Sequence, residues 1–321
     1  MINRTLIRIK VIQILFSFYK GAQSGVDAAK NELVLSLDKS YELYMLLLRL
    51  SVDVCNYAAD VKKRKNEVRS VRGAVEFEER DKMPADFFAE NKVVEQISKC
   101  SQLNEFLDKH KTGWEGRNDL ILALYKEIMQ SKTYADALTE DQSYDNDKKF
   151  LRLVYRDVFA KSDILSEELE RLSIYWNDDE EIVTSFVMKT ISQYQETEGE
   201  DKELLPKYKD ESDETFALTL LTKVIYNEAE YHELINENCK NWDASRIAFM
   251  DIIIMQTAIA ELISFPQIPV DVTMNEYIEI AKFYSTGKSS SFVNGILDAI
   301  LKKLKAEGKL VKAASIKKTQ K

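Results

Sequence analysis

The chain has 321 residues, of which 45% are hydrophobic and 31% charged, while only nine are glycine and four are proline. This length corresponds to about two domains, and the hydrophobic fraction supports a sizeable core, which excludes a wholly disordered chain. Because β-rich proteins and glycine-rich nucleotide-binding folds need many more turn residues, the composition disfavours both and predicts an all-α protein.

The net charge of −9 is unevenly distributed. Residues 1–20 carry four basic and no acidic side chains, and residues 302–321 carry eight lysines against one glutamate. The chain therefore combines basic ends with an acidic body, which argues against a surface coated uniformly for nucleic acid.

The cysteines Cys55, Cys100 and Cys239 are far apart and lack CxxC spacing. This pattern predicts reduced thiols in a cytoplasmic protein rather than disulfides or a zinc site. Charged residues interrupt the apolar N-terminal run, so we expect no signal peptide, and no run reaches the length of a membrane span.

The first predicted helix covers residues 4–19. Ile7, Val11 and Phe18 form one apolar stripe, but Ile9 and Ile12 lie outside it. This helix is therefore apolar on more than one side, as is typical of a helix sandwiched between neighbours or leaving part of its second face for a ligand.

A second helix is predicted over residues 29–64, followed by a loop or linker over 66–84 that contains Gly73 and Pro84. Periodicity predicts further helices in the middle of the chain. They cover about 85–110, 117–139, 146–175, 179–195 and 212–240.

The C-terminal part has the clearest pattern. Residues 244–264 are apolar nearly all round, which predicts a buried central helix. Helices follow at about 270–284 and 291–306, with the serines 289–291 as N-cap residues of the last one. A lysine-rich tail then begins at residue 307.

An internal repeat of 66 residues links the middle and the end of the chain. Its matching residues are Phe150, Val158 and Trp176, which recur as Phe216, Val224 and Trp242. Two interpretations stay open, a duplicated helical unit and chance similarity between helices of equal periodicity.

Features of an active site are scarce. The chain has two histidines, which leaves little room for Ser-His-Asp or Cys-His catalysis. Residues 285–289 end like a phosphate-binding loop, but Lys282 stands where the first glycine is required and a predicted helix precedes the segment. We predict a protein that is not an enzyme.

Residues 268–282, IPVDVTMNEYIEIAK, followed after a short connection by residues 291–298, SFVNGILD, resemble the signature of the NusB family. The family pattern reads approximately VPxxVAINEAIELAK and then FVNGVLD. The opening helix, with Arg4, Arg8 and Phe16, is also similar to the family's. The resemblance covers roughly residues 1–25 and 205–305.

The resemblance implies an all-α, NusB-like helical bundle enlarged by a central helical insertion. Its expected parts are N-terminal core helices at 1–64, an insertion or duplicated unit at 65–205, a C-terminal core at 206–306 and the tail at 307–321. Members are non-catalytic transcription antitermination factors of bacteria, without a cofactor or metal. They bind boxA RNA of ribosomal RNA leaders together with NusE, a protein of the small ribosomal subunit, and act on the transcription elongation complex.

The family's basic opening helix contacts RNA, so the resemblance assigns RNA binding to Arg4, Arg8, Lys10 and Phe16. Tyr284 takes the place of a family aromatic residue beside the RNA surface. Lys288 lies in the loop 285–290 near that surface, where well-known members have an acid, and is also assigned to RNA binding. Arg4 and Arg8 lie one helical turn apart, which allows both guanidinium groups to face one strand, and Phe16 offers either a stacking surface or a core side chain. Asp251 falls on an acidic family position that touches NusE, and Asp243 lies near a second such position.

Two alternatives belong to other classes. The same helical module forms the N-terminal part of ribosomal RNA cytosine methyltransferases, but this chain ends soon after the module, without a catalytic domain. The other alternative is a helical scaffold that binds only protein through the insertion.

Overall fold

The computed structural model of the protein describes residues 1–21, 25–72, 88–239 and 247–310. These residues form fourteen α-helices and no strand, so the all-α prediction is confirmed. The helices are α1 (Arg4–Tyr19), α2 (Val26–Arg72), α3 (Lys92–Lys99), α4 (Ser101–His110), α5 (Asn118–Gln130), α6 (Lys132–Ala137), α7 (Tyr144–Asp157), α8 (Asp163–Leu172), α9 (Glu180–Gln193), α10 (Ser212–Tyr226), α11 (Glu228–Asn238), α12 (Phe249–Ser264), α13 (Val270–Tyr284) and α14 (Ser289–Ala306).

The chain divides into two compact units. Unit 1 contains Met1 and residues 38–207, and unit 2 contains residues 2–37 and 208–321. The division falls within α2, after Leu37. The boundaries predicted from the sequence, at residues 64, 205 and 306, separate a family core from an insertion. They do not describe compact units, so they stay a prediction.

In unit 1, backbone carbonyls of α2 accept hydrogen bonds from large buried side chains. Trp114 Nε1 donates to the Leu46 carbonyl at 2.8 Å, and the Tyr155 hydroxyl of α7 donates to the Leu47 carbonyl. These bonds satisfy the polar atoms of aromatic side chains that would otherwise lose free energy on burial. They fix α2 against the middle helices.

In unit 2, α12 is the central helix, as its apolar sequence predicts. It packs against α1, α10, α11, α13 and α14. Its buried apolar side chains include Ile253, Ile254, Met255, Ile259 and Leu262. A helix buried on all sides needs neighbours on all sides, and unit 2 supplies five of them.

Several predicted helices are divided in the structure. The segment predicted at 117–139 forms α5 and α6, separated at Ser131, whose hydroxyl accepts a hydrogen bond from the amide of Tyr134. Cys100, Ser162 and Asn227 stand between helices in the other long segments. Serine and asparagine compete for backbone hydrogen bonds and so favour new helix starts.

Two further predictions are wrong. The helix expected to end at residue 64 continues to Arg72, and the rest of the expected loop, 73–84, lies outside the described residues. The last helix starts at Ser289 after the N-cap residue Lys288, so serines 289–291 are helical rather than capping. Most of the tail from 307, residues 311–321, also lies outside the described residues.

The 66-residue spacing recurs in the helix bounds. Helices α10, α11 and α12 each begin within three residues of the positions obtained by shifting α7, α8 and α9 by 66. In both triplets the first helix packs against the third. The repeated residue Trp242 lies outside the described residues.

Candidate nucleic-acid interface

Helix α1 carries four of the predicted RNA-binding residues, and both its ends are well defined. Asn3 is the N-cap and its side chain accepts a hydrogen bond from the Leu6 amide at 2.9 Å. At the other end Gly21 has φ +81°, a left-handed conformation that ends helices and favours glycine. Phe16 and Lys20 therefore lie at the C-terminal end of α1.

Arg8 lies inside unit 2 rather than on its surface. Its side chain is 3% exposed, and two of its nitrogens donate to the carboxylate of Glu261 in α12, at 2.8 and 2.9 Å. A third nitrogen donates to Glu276 of α13 at 3.3 Å. Thr273 and Tyr277 also donate to Glu261, at 2.8 and 3.1 Å. The buried carboxylate is thus surrounded by donors, as a buried charge requires.

The pKa values in this network follow from burial and charge. Burial by itself lowers the pKa of Arg8, but the hydrogen bond and charge of Glu261 outweigh it and raise the pKa above its ordinary value. Burial, followed by the charge of Glu261, raises the pKa of Tyr277 well above its ordinary value. Arg8 stays charged and Tyr277 stays protonated in the folded protein.

The expectation that Arg8 and Lys10 lie on an exposed face of α1 is therefore corrected. Both are 2% exposed, and α1 packs against α10 and α12. Arg4 is different. Its side chain is 32% exposed, pairs with Asp213 at 3.1 Å and lies over the Phe216 ring with its guanidinium carbon 5.0 Å from the centroid.

At the C-terminal end of α1, aromatic rings and a cation form a partly exposed cluster. The rings of Phe16 and Phe249 are 36% exposed each, and their centroids lie 5.6 Å apart. The Lys20 ammonium lies 4.6 Å from the centroid of Phe249, a cation–π distance. Tyr19 contacts Phe249 edge-on at 6.5 Å. We call Phe16, Tyr19, Lys20 and Phe249 the aromatic cluster.

The predicted residue Lys288 is exposed in the loop between α13 and α14. This loop is fastened to α12, because the Ser289 hydroxyl donates to the Asp251 carboxylate at 2.9 Å and accepts from the Thr286 amide at 3.1 Å. Asp251 lies two residues after Phe249. The loop and the aromatic cluster are thus both held by the first turn of α12.

Asp251 was expected to face a protein partner, but it is 4% exposed. Its position is that of an internal anchor for the Lys288 loop. The other expected partner residue, Asp243, lies outside the described residues. Tyr284 is half-buried at the end of α13, next to Phe283, which is 80% exposed.

The structure therefore brings Phe16 and Lys288 to one end of α12 and places Arg4 at the opposite end of α1. It adds Phe249 and Lys20, which the sequence patterns did not indicate as contacts. An aromatic residue in the first turn of an otherwise aliphatic helix was the available signal for Phe249. We call Phe16, Lys20, Phe249 and Lys288 the candidate interface.

Neither a metal-binding cluster nor a helix that could span a membrane is present in the described ranges. These ranges contain no group of three or more His, Cys, Asp or Glu side chains arranged to hold a metal ion. None of their helices is long and apolar enough to cross a membrane.

Comparison with known proteins identifies the family. The family model described as "NusB family" matches residues 182–302. The transcription antitermination protein NusB of Salinibacter ruber is 38% identical over 132 residues, which are 39% of this chain and 82% of that protein. The chain belongs to the NusB family.

Other NusB relatives match shorter parts. The protein of Chloroherpeton thalassium is 43% identical over 30% of this chain and 46% of its own length, and that of Geotalea uraniireducens is 44% identical over 27% and 59%. The solved structure of T. maritima NusB covers 50% of this chain and 95% of its own, with 25% identity and a TM-score of 0.30.

Proposed function

We propose that this NusB-family protein is an RNA-binding transcription antitermination factor that binds boxA-type leader RNA together with NusE. The proposal is supported by family membership, since its relatives carry the name transcription antitermination protein. In this proposal the protein acts on the transcription elongation complex in the cytoplasm and catalyses no reaction.

The observation that carries RNA binding is the candidate interface itself. Single-stranded RNA is recognised by aromatic side chains on which unstacked bases lie and by cations that neutralise phosphates. Phe16 and Phe249 expose ring surface beside the Lys20 ammonium, and Lys288 is exposed in the loop fastened to the first turn of α12. This combination is what a short single strand requires.

The residues divide into two groups in this proposal. Phe16, Phe249, Lys20 and Lys288 contact RNA, and Arg4 and Tyr284 stay predicted contacts from the family resemblance. Arg8 acts indirectly, because it is buried and holds α1 to α12 through Glu261, and Lys10 is buried as well.

Binding of NusE is proposed from the resemblance and from charge. A basic ribosomal protein fits an acidic surface. Asp243 remains the predicted contact, whereas buried Asp251 positions the loop that carries Lys288.

The test is equilibrium binding of a fluorescent boxA-type oligonucleotide to the full chain, with and without NusE. Replacing both Phe16 and Phe249 by alanine removes stacking worth about 1–3 kcal/mol per base. Tyr226→Ala is the matched control, because this ring of unit 2 is 70% exposed and outside the candidate interface.

We expect the double variant to lose about 30-fold in affinity or more, because two rings at the lower limit of about 1 kcal/mol each contribute about 2 kcal/mol, with Tyr226→Ala unchanged. Absence of RNA binding by the unaltered protein, with NusE present, would contradict the proposed function. Equal losses in the double variant and the control would contradict the location of the site.

A further inference from the structure

Helix α13 ends in two adjacent aromatic residues that differ in exposure. The buried face of this helix contains Thr273 and Tyr277. At about 100° per residue, Tyr284 lies within about 20° of Tyr277 around the helix, whereas Phe283 lies about 120° from it. Tyr284 is accordingly half-buried, and Phe283 is 80% exposed. The exposed ring at this end of α13 is therefore that of Phe283.

The surroundings of this ring indicate what it can bind, since the exposure of a single apolar side chain needs no explanation by itself. The Lys288 loop follows directly, and Lys288 is exposed. Glu279, one turn before Phe283, pairs with Lys282, so its negative charge is compensated. An exposed ring beside a cation suits a ligand that combines flat apolar groups with negative charge. Single-stranded RNA has this chemistry.

Polar contacts connect the position of Phe283 with the aromatic cluster. The hydroxyl oxygens of Ser285 and Ser289 lie 3.0 Å apart, and the Ser289 hydroxyl donates to Asp251 at 2.9 Å. Phe283 stands two residues before Ser285. Phe249, which belongs to the aromatic cluster, stands two residues before Asp251. Because two residues span at most about 8 Å of backbone, Phe249 and Phe283 flank the same fastened loop.

We propose that Phe283 is a base-stacking residue for single-stranded RNA, which extends the candidate interface beyond the Lys288 loop. This inference rests on the proposed function. A strand stacks on the aromatic cluster, passes Lys288 with its phosphates and places a further base on the ring of Phe283. Because every base has a π face, this contact adds affinity and lengthens the RNA segment that is bound, without adding sequence specificity.

The test compares three substitutions of Phe283 in the full chain. Phe283→Ala removes the ring, Phe283→Leu keeps an apolar side chain without a π face, and Phe283→Trp keeps a ring that stacks. Tyr226→Ala is the matched control, because it removes a ring of unit 2 that is 70% exposed and outside the candidate interface. Substitutions at exposed positions have little effect on folding, which circular dichroism checks.

Affinity is measured for a boxA-type oligonucleotide that is extended on both sides, with NusE present in excess. Phe283→Ala and Phe283→Leu should each bind this RNA about fivefold more weakly or worse, which is the loss expected from the lower limit of the stacking energy of one base. Phe283→Trp and the control should bind it as the unaltered protein does.

A fluorescent base locates the contact on the RNA. Aminopurine is an adenine analogue whose fluorescence is quenched when it stacks, and it is placed at successive positions of the extended oligonucleotide. Binding to the unaltered protein should quench it at a position where Phe283→Ala restores the fluorescence. Tyr226→Ala should leave the quenching unchanged at every position.

Other results overturn the inference. If Phe283→Ala binds the extended RNA as tightly as the control does, the ring does not touch RNA, while the proposed function stands as long as the unaltered protein binds. No RNA binding by the unaltered protein contradicts the inference and the proposed function together. If Phe283→Leu keeps full affinity, the contact is not stacking. If Phe283→Ala weakens only NusE binding, measured without RNA, the ring is a protein contact instead.

Discussion

Arg8 of α1 and Glu261 of α12 form a two-bond salt bridge in the interior of unit 2, at 2.8 and 2.9 Å. Neither side chain is more than 3% exposed. An arginine at the position where the family resemblance predicts an RNA contact thus holds the first helix to the central one.

Removing one partner of this pair should destabilise the protein strongly. Arg8→Met leaves the Glu261 carboxylate buried without its cation, which costs about 3–5 kcal/mol. Arg8→Met combined with Glu261→Gln removes both charges, and the new amide oxygen still accepts from Thr273 and Tyr277, so the loss of stability should be smaller. Urea unfolding measures both.

The control for the salt bridge is Lys302→Met, since Lys302 and its partner Asp298 are both more than half exposed and their ion pair should contribute about 1 kcal/mol or less. Equal losses for Arg8→Met and Lys302→Met would show that the buried pair has no special weight.

Stability should fall in alkaline solution because of Tyr277. Its pKa is higher in the folded protein than the ordinary value of 10.0, which we take for the unfolded chain. Its contribution to stability is therefore fully present below pH 10 and is lost as the pH rises towards the folded-state pKa. Free energies of unfolding measured from about pH 8 to about pH 11 should decline less steeply for Tyr277→Phe. If the free energy of unfolding of Tyr277→Phe declines with pH as steeply as that of the unaltered protein, the alkaline loss of stability comes from other groups.

Lys288 should strengthen RNA binding through charge. Lys288→Asp replaces the exposed loop cation of the candidate interface by an acid, so it should lower RNA affinity more at low salt than at high salt. Titration of a boxA oligonucleotide at two salt concentrations measures the effect. Lys305→Asp, in the last turn of α14, makes the same charge change elsewhere, and matching losses in both variants would remove Lys288 from the interface.

Asp251 should act as an anchor for the loop. Because the Ser289 hydroxyl donates to its buried carboxylate at 2.9 Å, Ser289→Ala should lower the free energy of unfolding by about 1.5–3 kcal/mol. Asp251→Ala should cost at least as much. The double variant should cost less than the sum of the two, and strict additivity would show that the two side chains are not coupled.

Sequence patterns predicted the elements whose boundaries have local signals. Helices α1 and α13 start and end where the periodicity places them, and α12 is buried as its composition requires. The breaks at Ser131 and Asn227 were missed because helical periodicity continues across them without glycine or proline. The serine and asparagine themselves, residue types that favour helix starts, were the available signal.

The contacts of the predicted site residues could be predicted less well from the sequence than the helices. The sequence is compatible with Phe16 either as a stacking surface or as a core side chain, and the structure leaves it 36% exposed against another ring. Arg8 could not be placed, because its partner stands 253 residues away and only the fold reveals that pairing. Long-range ion pairs of this kind leave no local pattern.

The packing of α1 against two helices from the C-terminal part of the chain has a consequence for biosynthesis. At about 5–20 residues per second, the ribosome needs roughly 10–50 seconds to reach Glu261 after it has made Arg8. During that interval the apolar side chains of α1 lack the helices α10 and α12 that cover them in the finished protein. We expect the nascent N-terminal helix to depend on a chaperone. Aggregation of the nascent chain should increase when translation slows between residues 37 and 208, which separate the two segments of unit 2.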